Sequence, residues 1–192
     1  MNKEHHITIS DRILSATVLR FFPQRVTPNH LTIFRFFTVP FVIFLIFIER
    51  YASGIVLFAI SAFTDALDGA MARTRDKITE WGTIYDPMAD KLLIGLTAIV
   101  LMPRFLNPII AFFVILIEML LIGGAYYLKN RGFEHRIHAN AWGKAKMIAQ
   151  SFGIGFLLLY PILSIPIFLT LAMYLLYISI VLGIISLITH GI

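Results

Sequence analysis

Long apolar runs separated by short polar segments make up most of the chain. Six of these runs are close to the roughly 20 residues that an α-helix needs to cross a bilayer. A turn is expected between the last two runs, because Pro161 and Pro166 flank it and one helix over 145–188 would be too long for a single crossing. The pattern therefore predicts an all-α, polytopic membrane protein with six transmembrane helices over 31–48, 52–71, 82–102, 108–128, 145–163 and 166–188.

The segment before the first apolar run mixes apolar and polar residues. Over 10–22 this mixture is typical of an amphipathic helix lying in the membrane interface, and Pro23 would end it. Pro28 and Asn29 predict a turn before the first span. No signal peptide is expected, because a long apolar core and a small-residue cleavage site are missing. We interpret 1–192 as one membrane domain whose residues 1–30 form a cytoplasmic or interfacial segment.

The composition strengthens the membrane interpretation. Of the 192 residues, 58% are apolar and only 14% are charged, against about a quarter charged in soluble domains. The absence of cysteine excludes a disulfide scaffold and any cysteine-ligated metal site. The formal net charge of +5 is therefore interpreted as a signal of membrane orientation and not of nucleic-acid binding.

Basic residues fall on one side of the predicted bundle. Of the 16 Lys and Arg residues, five lie in the N-terminal part up to Arg35, three lie within 73–77 and five within 129–146, and Lys91 lies within the third span. Only Arg50 and Arg104 remain for the other side. Because cytoplasmic loops are enriched in Lys and Arg, the three clusters should face the cytoplasm. The expected location is the bacterial inner, or cytoplasmic, membrane.

Acidic residues are concentrated in one short region. Only 11 are present, yet six fall between Asp65 and Asp90. Asp65 and Asp68 are three residues apart, and Asp86 and Asp90 are four apart, so each pair shares one face of its helix. A short charged turn joins the two helices and should bring both pairs to the cytoplasmic end.

Such a group of carboxylates points to hard divalent cations. All-oxygen ligands suit Mg²⁺ or Mn²⁺, and Mg²⁺ usually binds carboxylates together with substrate phosphates. Arg73 could bind phosphate oxygens, and the small residues Gly69 and Ala72 would let a nucleotide approach closely or let helices pack tightly. The plainer alternative is a set of helix-end charges that face water.

The acidic run resembles the signature of the CDP-alcohol phosphatidyltransferase family. All eight defined positions are present, as Asp65-x2-Asp68-Gly69-x2-Ala72-Arg73-x8-Gly82-x3-Asp86-x3-Asp90. The resemblance implies a membrane enzyme, expected to be a homodimer, that transfers a phosphatidyl group from CDP-diacylglycerol to an alcohol and releases CMP.

The resemblance also assigns roles to these positions. One or two Mg²⁺ or Mn²⁺ ions would be held by Asp65, Asp68, Asp86 and Asp90, with Asp90 also the catalytic base. Asp68 would contribute to the CDP pocket as well, together with Gly69, Ala72, Arg73 and Gly82.

Further segments resemble the phosphatidylglycerol-phosphate synthase and cardiolipin synthase branch of that family. They are 28–35 followed by Val39-Pro40, Asp86-Pro87-Met88-Ala89-Asp90-Lys91, and Gly143-Lys144-Ala145-Lys146 followed by Gln150. The first-choice acceptor is therefore glycerol 3-phosphate, with phosphatidylglycerol and an inositol phosphate as alternatives. Its candidate contacts are Asn29, Arg35, Glu118, Lys144 and Lys146. The basic members could equally be ordinary flanking charges.

One position departs from the branch. Members of the branch usually carry an Arg-Glu pair in the fourth span, but in this chain Ile117 precedes Glu118. Arg131 or Arg136 could substitute for the missing arginine.

Two other classes use intramembrane carboxylates. A divalent-cation transporter would be expected to show internal repeats and broken helices, and neither is apparent. An aspartate-rich prenyltransferase would separate its acidic motifs by several helices, whereas one hairpin holds both pairs here.

Overall fold

Helices joined by short turns form the described part of the chain. The computed structural model describes residues 9–23, 25–75, 77, 79–130 and 141–189. A 3₁₀ helix, Leu19–Phe21, follows the first α-helix. The α-helices are α1 (Ile9–Thr17), α2 (Pro28–Phe47), α3 (Tyr51–Thr74), α4 (Glu80–Phe105), α5 (Pro108–Asn130), α6 (Ala141–Leu163) and α7 (Pro166–Thr189).

Four of the helices, α2, α3, α6 and α7, are long and apolar enough to cross a membrane. Asp86, Asp90 and Lys91 interrupt the apolar character of α4 in its first half, and the described apolar part of α5 is Pro108–Gly124. The all-helical class and the membrane character are thus confirmed, whereas the count of six spans stays a prediction. The interfacial location of α1, which covers part of the amphipathic segment 10–22, also stays a prediction.

The predicted turn at Pro28 and Asn29 is wrong. Both residues belong to the first turn of α2, and the backbone N–H of Thr27 donates to Nδ1 of His30 at 3.1 Å. Proline suits the first position of a helix because its φ is already helical and its missing N–H would have no partner there. Asn29 is therefore part of α2 and not of a turn that precedes the helix.

The turn between α6 and α7 lies where the predicted spans 145–163 and 166–188 leave it. Helix α6 continues through Pro161 to Leu163, which leaves only Ser164 and Ile165 between the helices. Helical hydrogen bonding resumes beyond the proline, since the N–H of Ser164 donates to the carbonyl of Tyr160 at 2.8 Å. Ser164 then reverses the chain with a positive φ of 56°.

Helix α4 is the centre of the bundle. It packs against α2, α3, α5 and α6, while α7 packs against α5 and α6. Its fully buried side chains Leu93 and Leu101 join an apolar core with Ile46 of α2, Leu157 of α6 and Leu176 of α7. Because the turn between α3 and α4 is short, the first half of α4 lies beside the last turns of α3.

The contact between α5 and α7 depends on a glycine. A Cβ atom added at Gly183 would lie 2.5 Å from Cγ2 of Ile117, which is closer than carbon atoms approach in proteins. The side chain of Ile117 is buried there, so it fills the space that Gly183 leaves on α7.

We expect Gly183→Ala to lower the free energy of unfolding by about 1–3 kcal/mol, the usual cost of overpacking. Thermal unfolding in detergent measures this loss. The matched control is Gly155→Ala on α6, because a Cβ at Gly155 meets no atom within 4 Å. Equal unfolding temperatures for the two variants would contradict the packing argument.

Candidate active site

The four aspartates of the acidic motif lie near one another at one end of the bundle. Asp65 and Asp68 are on α3, and Asp86 and Asp90 are on the first half of α4. The carboxylate of Asp65 is close enough to the other three for their negative charges to repel one another. The helical hairpin therefore brings the two pairs together, as their spacing predicted.

A buried arginine from α2 lies against the acids of α3. The side chain of Arg35 is fully buried, with Nη1 2.8 Å from Oδ1 of Asp65 and Nη2 2.7 Å from Oδ2 of Asp68. Nη1 also donates to the backbone carbonyl of Asp86 at 3.4 Å. Its guanidinium neutralises two carboxylates and joins three helices, and the contact of Arg35 with the acceptor stays a prediction.

The start of α4 is tied to α2 by side-chain hydrogen bonds. Thr79 caps α4, since its Oγ1 accepts from the N–H of Gly82 at 2.9 Å and its hydroxyl donates to Oδ1 of Asn29 at 2.8 Å. A Cβ at Gly82 would lie 3.3 Å from both Asn29 Oδ1 and Asp86 Oδ2. Thr32 of α2 donates to the carboxylate of Asp86. Glycine at position 82 therefore lets these polar groups approach the helix closely.

Arg73 is held by the N-terminal helix. Its Nε and Nη2 donate to the two carboxylate oxygens of Asp11 at 2.8 and 2.7 Å. The guanidinium lies over Gly69, where an added Cβ would be 3.2 Å from Nη2. Gly69 thus leaves room for the guanidinium, and Ala72 is a small, half-buried residue next to Arg73 in the chain. Helix α1 lies over this part of α3.

Asp90 differs from the other three acids. Its side chain is buried, yet within the described residues its carboxylate makes no hydrogen bond or ion pair. A carboxylate without such a partner can accept a proton from a bound hydroxyl group.

The remaining acceptor candidates lie on α5 and α6. Lys146 is buried and forms an ion pair with Glu118, so its charge is already matched inside the protein. Lys144 is exposed near the start of α6. Ile117 faces Gly183 of α7 and adds no polar group to the site. Arg131 and Arg136 lie outside the described residues.

The carboxylates are suitable ligands for a hard cation, although in this structure the guanidinium of Arg35 lies against two of them. Among the described residues, no three His, Asp or Glu side chains are grouped as a ready metal centre. The guanidinium between Asp65 and Asp68 marks a place where positive charge is stabilised. All-oxygen donors of this kind are those that Mg²⁺ and Mn²⁺ prefer.

Several contacts of the site were not predicted as such. Thr32 lies one turn before Arg35 on the same face of α2, and this spacing could have identified it. Asp11 and Thr79 gave no comparable signal, because their partners are distant in sequence, 62 residues away for Asp11 and 50 for Thr79.

Comparison with known proteins identifies the family. Residues 25–185 match the family model described as CDP-alcohol phosphatidyltransferase. The chain belongs to this family. The resemblance of its acidic motif is thus confirmed, and the helical hairpin with four aspartates is where the family motif lies in this structure.

Several relatives of the chain are named CDP-diacylglycerol–glycerol-3-phosphate 3-phosphatidyltransferase. The chain is 30% identical over 136 residues to the protein of Rickettsia bellii, a match that covers 69% of this chain and 74% of the relative. It is 30% identical over 137 residues to that of Haemophilus influenzae, covering 68% and 74%. The match to the Rickettsia typhi protein is 39% identical over 80 residues, 40% of this chain, and spans only 45% of that relative's length.

We expect Arg35→Met to destabilise the bundle by about 3 kcal/mol or more, because it leaves the buried carboxylate of Asp68 without its cation. Thermal unfolding in detergent without divalent ions measures the effect. Arg12→Met, which removes an exposed arginine of α1, is the control and should change stability little. Wild-type stability of Arg35→Met would show that these ion pairs do not hold the helices together.

Proposed function

We propose that the protein transfers a phosphatidyl group from CDP-diacylglycerol to glycerol 3-phosphate and releases CMP. The observation that carries this proposal is Asp90, a buried carboxylate without a partner in the described chain, next to three further aspartates of the family motif. The name of the relatives from Rickettsia bellii and Haemophilus influenzae, which describes this reaction, supports the choice of donor and acceptor.

In the proposed reaction the acceptor hydroxyl attacks the phosphorus of the phosphatidyl group. A new phosphorus–oxygen bond forms, the bond to CMP breaks, and the hydroxyl proton passes to Asp90 as general base. In-line attack needs positioning and charge stabilisation more than covalent help from the protein. Arg73, Gly69, Ala72 and Gly82 would line the pocket of the CDP group.

The proposed activity depends on Mg²⁺ or Mn²⁺. Asp65, Asp68 and Asp86, with Asp90, would hold one or two ions. When bound, such an ion supplies positive charge that stabilises the diphosphate and the leaving CMP. The repulsion among the four carboxylates, only partly relieved by Arg35, supports a need for added cations here.

The acceptor would bind toward α5 and α6, where Glu118, Lys146 and Lys144 lie. The Glu118–Lys146 pair would fix the geometry of this side of the site, and the exposed Lys144 would attract the acceptor phosphate. Asn29 lies at the start of α2, where its Oδ1 accepts a hydrogen bond from Thr79.

Removing the base should abolish turnover. We expect Asp90→Asn to lower metal-dependent CMP release from CDP-diacylglycerol with glycerol 3-phosphate by at least about 100-fold, the usual contribution of a general base. Glu49→Gln, which removes an exposed acid in the turn between α2 and α3, is the matched control and should retain activity.

The same assay, run with different acceptors, tests which alcohol the protein uses. CMP release with phosphatidylglycerol or an inositol phosphate, and none with glycerol 3-phosphate, would overturn the acceptor but keep the reaction class. Wild-type protein that releases no CMP with any acceptor, or needs no divalent ion, would overturn the proposed chemistry.

Six spans would place the active site in the cytoplasm, with the protein in the bacterial inner membrane as a homodimer. The absence of cysteine permits a direct test of the span count. We expect cysteines introduced at Asn107 and Ile165, in the turns after α4 and α6, to react with an impermeant maleimide from the outside. Lys144→Cys should react only after the membrane is opened.

Asn107 decides between the alternatives. If neither α4 nor α5 crosses the bilayer, Asn107→Cys will be protected together with Lys144→Cys, while Ile165→Cys still reacts from outside.

A further inference from the structure

A cavity of about 400 Å³ lies beside the acidic site, between α4, α5 and α6. Pro87, Met88 and Lys91 of α4 line the end nearest Asp90, and Glu118 of α5 lies at the same end. The cavity then follows α4 as far as Ile99, about 12 Å along the helix axis from Lys91. Most of its wall is apolar, so the cavity is polar at one end only.

Gln150 of α6 is a polar residue in the otherwise apolar part of the cavity wall. Its side chain is fully buried and lines the cavity, and among the described residues neither amide atom has a hydrogen-bond partner. An unpaired amide in an apolar site costs about 1–3 kcal/mol. A bound group that accepts a hydrogen bond from Nε2 would therefore be stabilised here.

The cavity also faces outward between the helices. Met88, Leu96 and Ile99 line it and are each more than a third exposed, as are Met119 and Ile122 on α5. An apolar molecule could therefore enter sideways from a bilayer, with its polar end toward Lys91 and Asp90.

We propose that this cavity binds one acyl chain of the CDP-diacylglycerol donor, with the NH₂ of Gln150 donating to the ester carbonyl of that chain. This inference rests on the proposed function. The polar end next to Asp90 fits the glycerol and diphosphate part of the donor, and the apolar length along α4 fits the hydrocarbon. Glycerol 3-phosphate does not fit the apolar part, because its phosphate and hydroxyl groups would lose their hydration without partners.

Gly95 offers a way to fill the cavity. It lines the wall, and a Cβ added there meets no atom within 4 Å. We expect Gly95→Leu to lower kcat/KM for a dioleoyl donor relative to a dihexanoyl donor by at least fivefold, since the longer chain needs the space that leucine takes. The matched control is Gly155→Leu, which points into a separate groove of α6 near Phe58 and has equally open surroundings. Its ratio should equal that of the wild type.

Gln150→Leu tests the ester contact. The wild-type protein should prefer the dioleoyl ester donor over the dioleyl ether donor, which lacks the carbonyl, by about two- to tenfold, the range of one hydrogen bond. Gln150→Leu should show no preference. Its thermal stability without lipid should not fall, because leucine replaces an amide that has no partner.

The outcomes separate this inference from the proposed function. If the wild-type protein releases no CMP from any CDP-diacylglycerol, the proposed function fails, and the inference with it. If it is active but Gly95→Leu leaves the chain-length ratio unchanged, only the inference fails. It also fails if Gly95→Leu slows both donors equally and changes the oligomeric state, because a second copy of the chain would then cover the cavity. Should Gly95→Leu not fold, an unaltered ester preference in Gln150→Leu overturns the inference alone.

Discussion

The site depends on one buried cation, the guanidinium of Arg35. A charged group inside an apolar helix bundle is stable only when its partners are close and well oriented. Arg35 meets this condition by bonding to Asp65 and Asp68 on α3 and to the backbone of Asp86 on α4. The same contacts fix the relative depth of three helices, so the arginine organises both the packing of the bundle and the position of the acids.

One guanidinium does not balance four carboxylates. Asp86 accepts a hydrogen bond from the uncharged hydroxyl of Thr32, and Asp90 has no partner in the described chain. The cavity begins beside Asp90, at Pro87 and Lys91 of α4. A fold that concentrates unbalanced acids beside an apolar cleft suits a ligand that brings cations and hydrocarbon together, as a metal-bound nucleotide lipid does.

Sequence reasoning was accurate where the information is local. The helices follow from apolar length, and the convergence of the acid pairs follows from spacings of three and four residues on either side of a short turn. Pro28 misled it, because proline is also compatible with the first turn of a helix. The pairs Asp11–Arg73 and Glu118–Lys146 and the unpaired amide of Gln150 depend on which helices are neighbours, and no local pattern encodes that.

The surroundings of Ile117 explain why isoleucine, and not the arginine usual in the branch, fits at this position. An arginine at this position would meet Gly183 and the apolar face of α7, where an unpaired charge is costly. Isoleucine instead packs against that glycine and holds α5 to α7. Glu118, one residue on, points to the other side and pairs with Lys146. The charge that the branch usually supplies from α5 is therefore not replaced at the same place among the described residues, where Lys144 of α6 is an exposed cation.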